Sequence, residues 1–278
     1  MKAIVLSTKG GVGKTTFTIQ ILAPYLNQKT KQKVPFFIGD TVNEDARVFN
    51  SDLFEISNSK FYLDKSNDNF IQELALQKDC IVDVGGNQSS ELFLKELEDK
   101  SFLIDDDFVF FVPTMNEINS INNAIDTYKK LVQISNNFKI IFVLSNVVDT
   151  ENYEDEFFAL FGDTKQICGG IKGKFDTSNI PTDNRKCVVI PSAVSIISLA
   201  NSYGKPIFEL ANFKDKAVNE YQEIRKTFKD KSVEEAIKAG AKVFNRAQFL
   251  KRCDKYKQEQ IIGYVFKQFE KLGLWKQK

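Results

Sequence analysis

The sequence contains no histidine, and its four cysteines, Cys80, Cys168, Cys187 and Cys253, form no C-x-x-C pair. Zinc sites draw on closely spaced thiolates and imidazoles, so none is expected, and the cysteines read as ordinary reduced thiols. No apolar run reaches the roughly 18 residues that a membrane-spanning helix requires. The opening stretch, Met1-Lys2-Ala3-Ile4-Val5-Leu6-Ser7, is too short for a signal peptide. These absences lead to the expectation of a cytoplasmic protein. Internal repeats and low-complexity tracts are also missing.

What is present fits a folded globular chain: 278 residues, 42% hydrophobic and 27% charged. That length allows one large domain, or one domain with a small appendage. Charge is balanced overall but unevenly placed. Residues 211–278 hold 17 Lys and Arg against 9 Asp and Glu, a net of +8, whereas residues 1–210 carry a net of −7. The basic end is either a surface for a polyanion, nucleic acid or anionic lipid, or a solvated helical face.

Short, β-branched or aromatic runs alternate with helical patterns. Candidate strands are 3–7, 34–39, 80–84, 108–112, 139–146 and 187–190. Their near-continuous apolar character suits strands covered on both faces. Candidate helices lie between them at 14–27, 69–77, 90–97, 117–134, 151–161 and 193–202. The alternation predicts an α/β fold with a doubly wound, mostly parallel sheet, its ligand beyond the C-terminal strand ends. Residues 162–186 read as a long loop with room for a short hairpin. After Pro206 the pattern is helical. Ser232-Val233-Glu234-Glu235 resembles a capping box, and Val233, Ile237, Gly240, Phe244 and Ala247 make one apolar stripe. A last helix is expected over 256–272. The division is therefore 1–210 as the main domain and 211–278 as a basic helical extension packed on or beside it.

The strongest local signal is Lys9-Gly10-Gly11-Val12-Gly13-Lys14-Thr15-Thr16, between a strand and a helix. Glycines let the backbone curl until its N–H groups converge on phosphate oxygens. The helix N-terminus adds partial positive charge. Gly10, Gly11, Val12, Gly13, Lys14, Thr15 and Thr16 are the expected phosphate contacts. Lys14 should reach the β/γ-phosphates, and the Thr15 hydroxyl should ligate Mg²⁺.

The standard loop has glycine six residues before its lysine; here that position is Thr8, and a second lysine, Lys9, lies inside the loop. This pattern resembles the deviant Walker A motif of the ParA/MinD family, P-loop ATPases that include partition and positioning proteins. The resemblance implies that Lys9 crosses a dimer interface to the nucleotide of the other subunit, much as an arginine finger does, and hence an ATP-bound homodimer. Further segments match. Ile81-Val82-Asp83-Val84-Gly85-Gly86 is similar to the family's Walker B strand end, where Asp83 would hold Mg²⁺ through water. Val109-Phe110-Phe111-Val112-Pro113-Thr114 resembles the next strand. Phe142-Val143-Leu144-Ser145-Asn146 resembles the strand whose terminal Asn binds adenine; the amide has both a donor and an acceptor for the base edge, although Asn146 is equally a residue that a turn would take. Ile190-Pro191-Ser192, with Ala200 and Gly204-Lys205-Pro206-Ile207, resembles the closing segment, in which Pro191 would pack on the adenine. The resemblance covers residues 1 to about 210.

One departure concerns hydrolysis. The family's second strand normally ends in two acids one residue apart, the second positioning the attacking water. Aligning Asp40 with the first leaves Val42 at the second, or Thr41 after a one-residue shift. Asp40 is then the candidate catalytic acid, with Glu44 and Asp45 as alternatives and a plain turn acid as the plainer reading. Slow turnover, stimulated by a partner, would suit a switch.

The resemblance implies a ParA-like ATPase for plasmid or DNA partition. ATP would create a dimer that binds DNA without sequence preference, near the nucleoid, and a centromere-binding, ParB-like protein would stimulate its release. Because the first strand opens the chain, no N-terminal helix-turn-helix is expected. Two alternatives share the motifs: a MinD-like positioner that reaches the membrane through the apolar, lysine-flanked C-terminal helix around Ile261 to Trp275, and an ATPase of conjugation or mobilisation.

Overall fold

The computed structural model describes residues 1–39, 49–60, 70–167, 169–227 and 233–275. Seven strands form one sheet: β1 (Lys2–Val5), β2 (Val34–Gly39), β3 (Phe54–Lys60), β4 (Cys80–Val84), β5 (Phe108–Thr114), β6 (Lys139–Val147) and β7 (Cys187–Pro191). Every neighbouring pair is parallel, in the order β3-β2-β4-β1-β5-β6-β7. The chain builds β2–β4 on one side of β1 and β5–β7 on the other. That reversal opens a crevice at the C-terminal end of β1, where the glycine loop begins.

The helices are α1 (Lys14–Phe17), α2 (Ala23–Thr30), α3 (Phe70–Leu76), α4 (Gln88–Asp99), α5 (Ile118–Ile134), α6 (Tyr153–Glu156), α7 (Phe158–Phe161), α8 (Lys174–Thr177), α9 (Val194–Ser202), α10 (Ile207–Leu210), α11 (Lys214–Thr227), α12 (Val233–Lys255) and α13 (Lys267–Lys271). A π-helical stretch, Thr18–Leu22, joins α1 to α2, and a longer one, Tyr256–Phe266, joins α12 to α13.

Alternate residues of the strands feed two cores. Ile4, Val82, Phe110, Phe142 and Leu144 pack with α3, α4 and α5 on one face. Ala3, Val5, Val109, Phe111, Ile141 and Val143 pack on the other face with the α1–α2 helix and the C-terminal helices. The end of the chain is integral to that second core: Ile261, Val265 and Phe269 are fully buried. The Phe269 ring lies 4.9 Å from Tyr25, 6.0 Å from Phe111 and 6.3 Å from Phe17.

Several expectations need adjustment. The edge strand β3 was not expected, because FEISNSK carries few apolar residues; an edge strand is held by backbone pairing to one neighbour and needs little apolar pattern. The helix expected over 151–161 is two short ones, α6 and α7. The loop after it contains one antiparallel bridge, Gly162 to Lys172. Residues 233–271 run as one continuous helix through the π-helical segment, where two separate helices were expected. In its stripe, Gly240 and Ala247 are buried, but Phe244 is 40% exposed and lies against Tyr221, ring centroids 5.3 Å apart. The capping residue Ser232 falls outside the described residues. Among the described residues no helix is long and apolar enough to cross a membrane.

Candidate nucleotide-binding site

The glycine loop follows β1 and enters α1 at Gly13, whose φ of 87° is costly for any residue with a side chain. Gly11 has φ 76°. These left-handed turns curl the loop, and the Lys14 ammonium donates to the Lys9 carbonyl across it at 3.1 Å. Lys14 is only 8% exposed, so its charge is held inside the loop.

Two neighbouring elements hold the loop from outside. Residues after β4 approach closely: a Cβ on Gly86 would lie 2.9 Å from the Gly10 nitrogen, and the Asn87 N–H donates to the Thr8 carbonyl at 3.0 Å. Helix α5 contributes Thr127, whose Oγ1 accepts from the Thr8 N–H at 3.4 Å, and Asn123, whose Oδ1 accepts from the Thr8 hydroxyl at 3.4 Å. Glu117, at the start of α5, accepts from the Lys9 ammonium at 3.1 Å. Lys9 is thus paired within its own chain.

Thr15 is the second residue of α1, and its hydroxyl donates to Asp83 Oδ2 at 2.6 Å. Asp83 comes from β4 and is 6% exposed. A hydroxyl and a nearly buried carboxylate side by side are hard oxygen ligands, which suit Mg²⁺.

Beyond β6 and β7 lies the end at which the base is expected. The β6–β7 register shifts between Leu144 and Val147, and Asn146 takes φ 62°. This break turns Asn146 out of the ladder. Its Oδ1 accepts from the Ser192 hydroxyl at 2.5 Å. Gly11, Val12, Gly13, Thr16, Asn146 and Pro191 all line one cavity of about 320 Å³. Residues far apart in sequence, expected to contact phosphate or base, therefore meet around one space. Gly10, Lys14 and Thr15 belong to the same loop and helix. Asp40 lies outside the described residues, as do Thr41, Val42, Glu44 and Asp45.

The sequence reading missed four participants. Glu117, Asn123 and Thr127 carry no motif, although all three lie within the helix expected over 117–134. Tyr256 also lines the cavity, and no sequence signal marks it, because only the packing of the C-terminal helix brings it there.

A larger space of about 550 Å³ lies at the opposite end of the sheet, bounded by Met1, Asp79, Asp105 and Trp275. It contains none of the loop residues.

Comparison with known proteins gives the following. The model of the CobQ/CobB/MinD/ParA nucleotide binding domain matches residues 3–185. No curated protein matches the chain. Among solved structures, a MinD cell division protein from Aquifex aeolicus is similar at 17% identity, with 74% of this chain and 88% of that chain covered and a TM-score of 0.47. The septum site-determining protein MinD complexed with Mg-ADP from Pyrococcus horikoshii is 15% identical, covering 91% of this chain and 96% of that one at a TM-score of 0.41. An ATP complex of an McdA variant from Cyanothece is 14% identical, covering 75% and 89%, with a TM-score of 0.43.

Proposed function

Because the chain belongs to the CobQ/CobB/MinD/ParA nucleotide-binding domain family, we propose that it is a dimerising ATPase of the DNA-partition kind. One observation supports this reading: Gly11, Gly13, Thr16, Asn146 and Pro191 line one cavity, and the helix that leaves the glycine loop pairs its Thr15 hydroxyl with Asp83. Lys14 neutralises the β/γ-phosphates. Thr15 and Asp83 would hold Mg²⁺, which would supply positive charge against the phosphate oxygens. Water attacks the γ-phosphorus and the bond to the β-phosphate oxygen breaks, releasing ADP and phosphate. Asp40 is the proposed acid near that water. Lys9 leaves Glu117 and stabilises charge across the interface of an ATP-bound dimer.

DNA as the working surface is supported by charge. Lys242, Arg246, Lys251, Arg252 and Lys255 are exposed along α12. A ParB-like partner would stimulate hydrolysis and end the DNA-bound state. The rival membrane reading needs a free apolar face on the last helix, yet Ile261, Val265, Phe266 and Phe269 are buried in the protein's own core.

Sedimentation with and without Mg-ATP tests the proposal on native protein, Lys9→Ala and Lys14→Ala. Native protein should shift to a dimer, Lys9→Ala should bind ATP without dimerising, and Lys14→Ala should bind about 10- to 100-fold more weakly. A native protein that stays monomeric with saturating ATP refutes the dimer. Plasmid DNA binding should fall steeply with salt. Anionic liposomes pelleting the protein while DNA does not would favour the membrane instead.

A further inference from the structure

The base end of the cavity is walled by a residue from the far end of the chain. Tyr256 follows α12 directly, lines the cavity with Gly11, Gly13, Asn146 and Pro191, and is 7% exposed. Its hydroxyl donates to the Pro191 carbonyl at 2.9 Å. Ser192, the next residue, donates to Asn146 Oδ1. Two successive residues are thus tied, one to the C-terminal helix and the other to the Asn146 amide that lines the cavity. A second tie lies one turn earlier, where the Arg252 guanidinium donates to Ser195 Oγ at 2.7 Å.

We infer that Tyr256 is a positioning residue of the nucleotide site. It sets the Pro191–Ser192 loop against the base and ties that setting to the basic C-terminal helix, so base occupancy and the state of the helix are coupled. The inference rests on the nucleotide reading above and extends it to a residue outside the matched region, 3–185. Burial raises the phenol's pKa well above its ordinary value, so the hydroxyl remains a donor. Removing it leaves the Pro191 carbonyl without this partner in a buried setting. The helix is built to respond locally. Tyr256 opens the π-helical stretch, whose wider turns recur at functional positions. Gly263 permits that geometry, since a Cβ there would lie 2.9 Å from the Gln258 carbonyl oxygen. On the outer side of the same loop, Arg252 and Lys255 line a groove of about 480 Å³ that Pro191 and Tyr256 also border. A polyanion meeting those cations presses on the turn that holds the base loop. By linkage, a nucleotide that orders the loop changes affinity for the polyanion by the same factor.

The test uses the full chain with Mg-ATP and Mg-GTP. Titration calorimetry on native protein and Tyr256→Phe measures affinity, hydrogen exchange follows residues 256–266, and melting without nucleotide monitors the fold. Tyr256→Phe keeps the ring, so its melting should fall by only a few degrees while ATP binding weakens roughly three- to tenfold. Any preference for ATP over GTP should shrink by a similar factor. In native protein, Mg-ATP should slow exchange over 256–266, and in Tyr256→Phe that protection should largely vanish. Native-like affinity and preference in Tyr256→Phe overturn the inference. So does an unchanged exchange pattern over 256–266 in native protein with bound ATP, a reading that needs no variant. Native protein that binds no ATP, or Lys14→Ala protein that binds it undiminished, overturns the nucleotide reading itself.

Discussion

Lys9 is paired within its own chain. Its ammonium sits 3.1 Å from Glu117, with 32% and 59% of the two side chains exposed. An ion pair that open to water contributes about 0–1 kcal/mol. It therefore restrains Lys9 weakly, and in the proposed dimer a triphosphate across the interface would outcompete it. Glu117→Gln should lower the ATP concentration needed for half-maximal dimerisation by up to about fivefold, measured by sedimentation across an ATP series. An unchanged midpoint would mean that the pair does not hold Lys9 back. At this scale the sequence was informative wherever chemistry and spacing coincide. Lys9, Lys14, Thr15 and Asp83 stand in patterns that phosphate and metal chemistry would dictate, and the fold ties Lys14 to Lys9 and Thr15 to Asp83. Glu117 and Thr127 were silent, because an acid near a helix start and a threonine within a helix are common for many reasons.

At the scale of elements, the site is a meeting of two loops. The turn after β4 approaches the glycine loop so closely that a methyl group on Gly86 would strike the Gly10 backbone at 2.9 Å. Neither side can yield cheaply, since backbone moves on both. Gly86→Ala should cost about 1–3 kcal/mol of stability and weaken ATP binding more than it weakens the fold, as calorimetry and thermal melting on one preparation would show. Equal ATP affinity in the variant would mean that the loops part without consequence. Strands buried on both faces were legible as apolar runs, β1, β2 and β4–β7 among them, since burial imposes that pattern. The edge strand β3 was not, because its partner supplies backbone hydrogen bonds and asks little of its side chains. The bulge that turns Asn146 out of β6 was equally hidden: register is a property of two strands.

Across the whole molecule, the C-terminal helices close one face of the sheet. Phe269 joins Tyr25, Phe111 and Phe17 in one aromatic group, and Phe17 ends the helix that the glycine loop begins. Phe269→Ala should therefore cost about 3–5 kcal/mol in denaturant unfolding and also loosen nucleotide binding. A loss under 1 kcal/mol, on the order of a surface change, would mean that the helix is a detachable appendage. The core also sets alkaline stability. Burial pushes the Cys80, Cys187 and Cys253 thiols from 9.0 to about 12. Unfolded thiols ionise near pH 9 while folded ones keep their protons. The stability they contribute is whole below pH 9 and is lost as pH rises towards 12; urea midpoints measured from pH 8 to 11 should fall, and three Cys→Ser changes together should flatten that fall. Local sequence by itself determined the glycine loop between β1 and α1, the acid near the end of β4 and the alternating plan of a parallel sheet. Each follows from forces acting over a few neighbouring residues: backbone freedom, hydrogen-bonding type and the burial of short runs. Only the tertiary structure decided that the last helix shares the core of the sheet and brings Tyr256 to the base loop. Long-range packing depends on the shapes of surfaces formed hundreds of residues apart, and no short pattern encodes it.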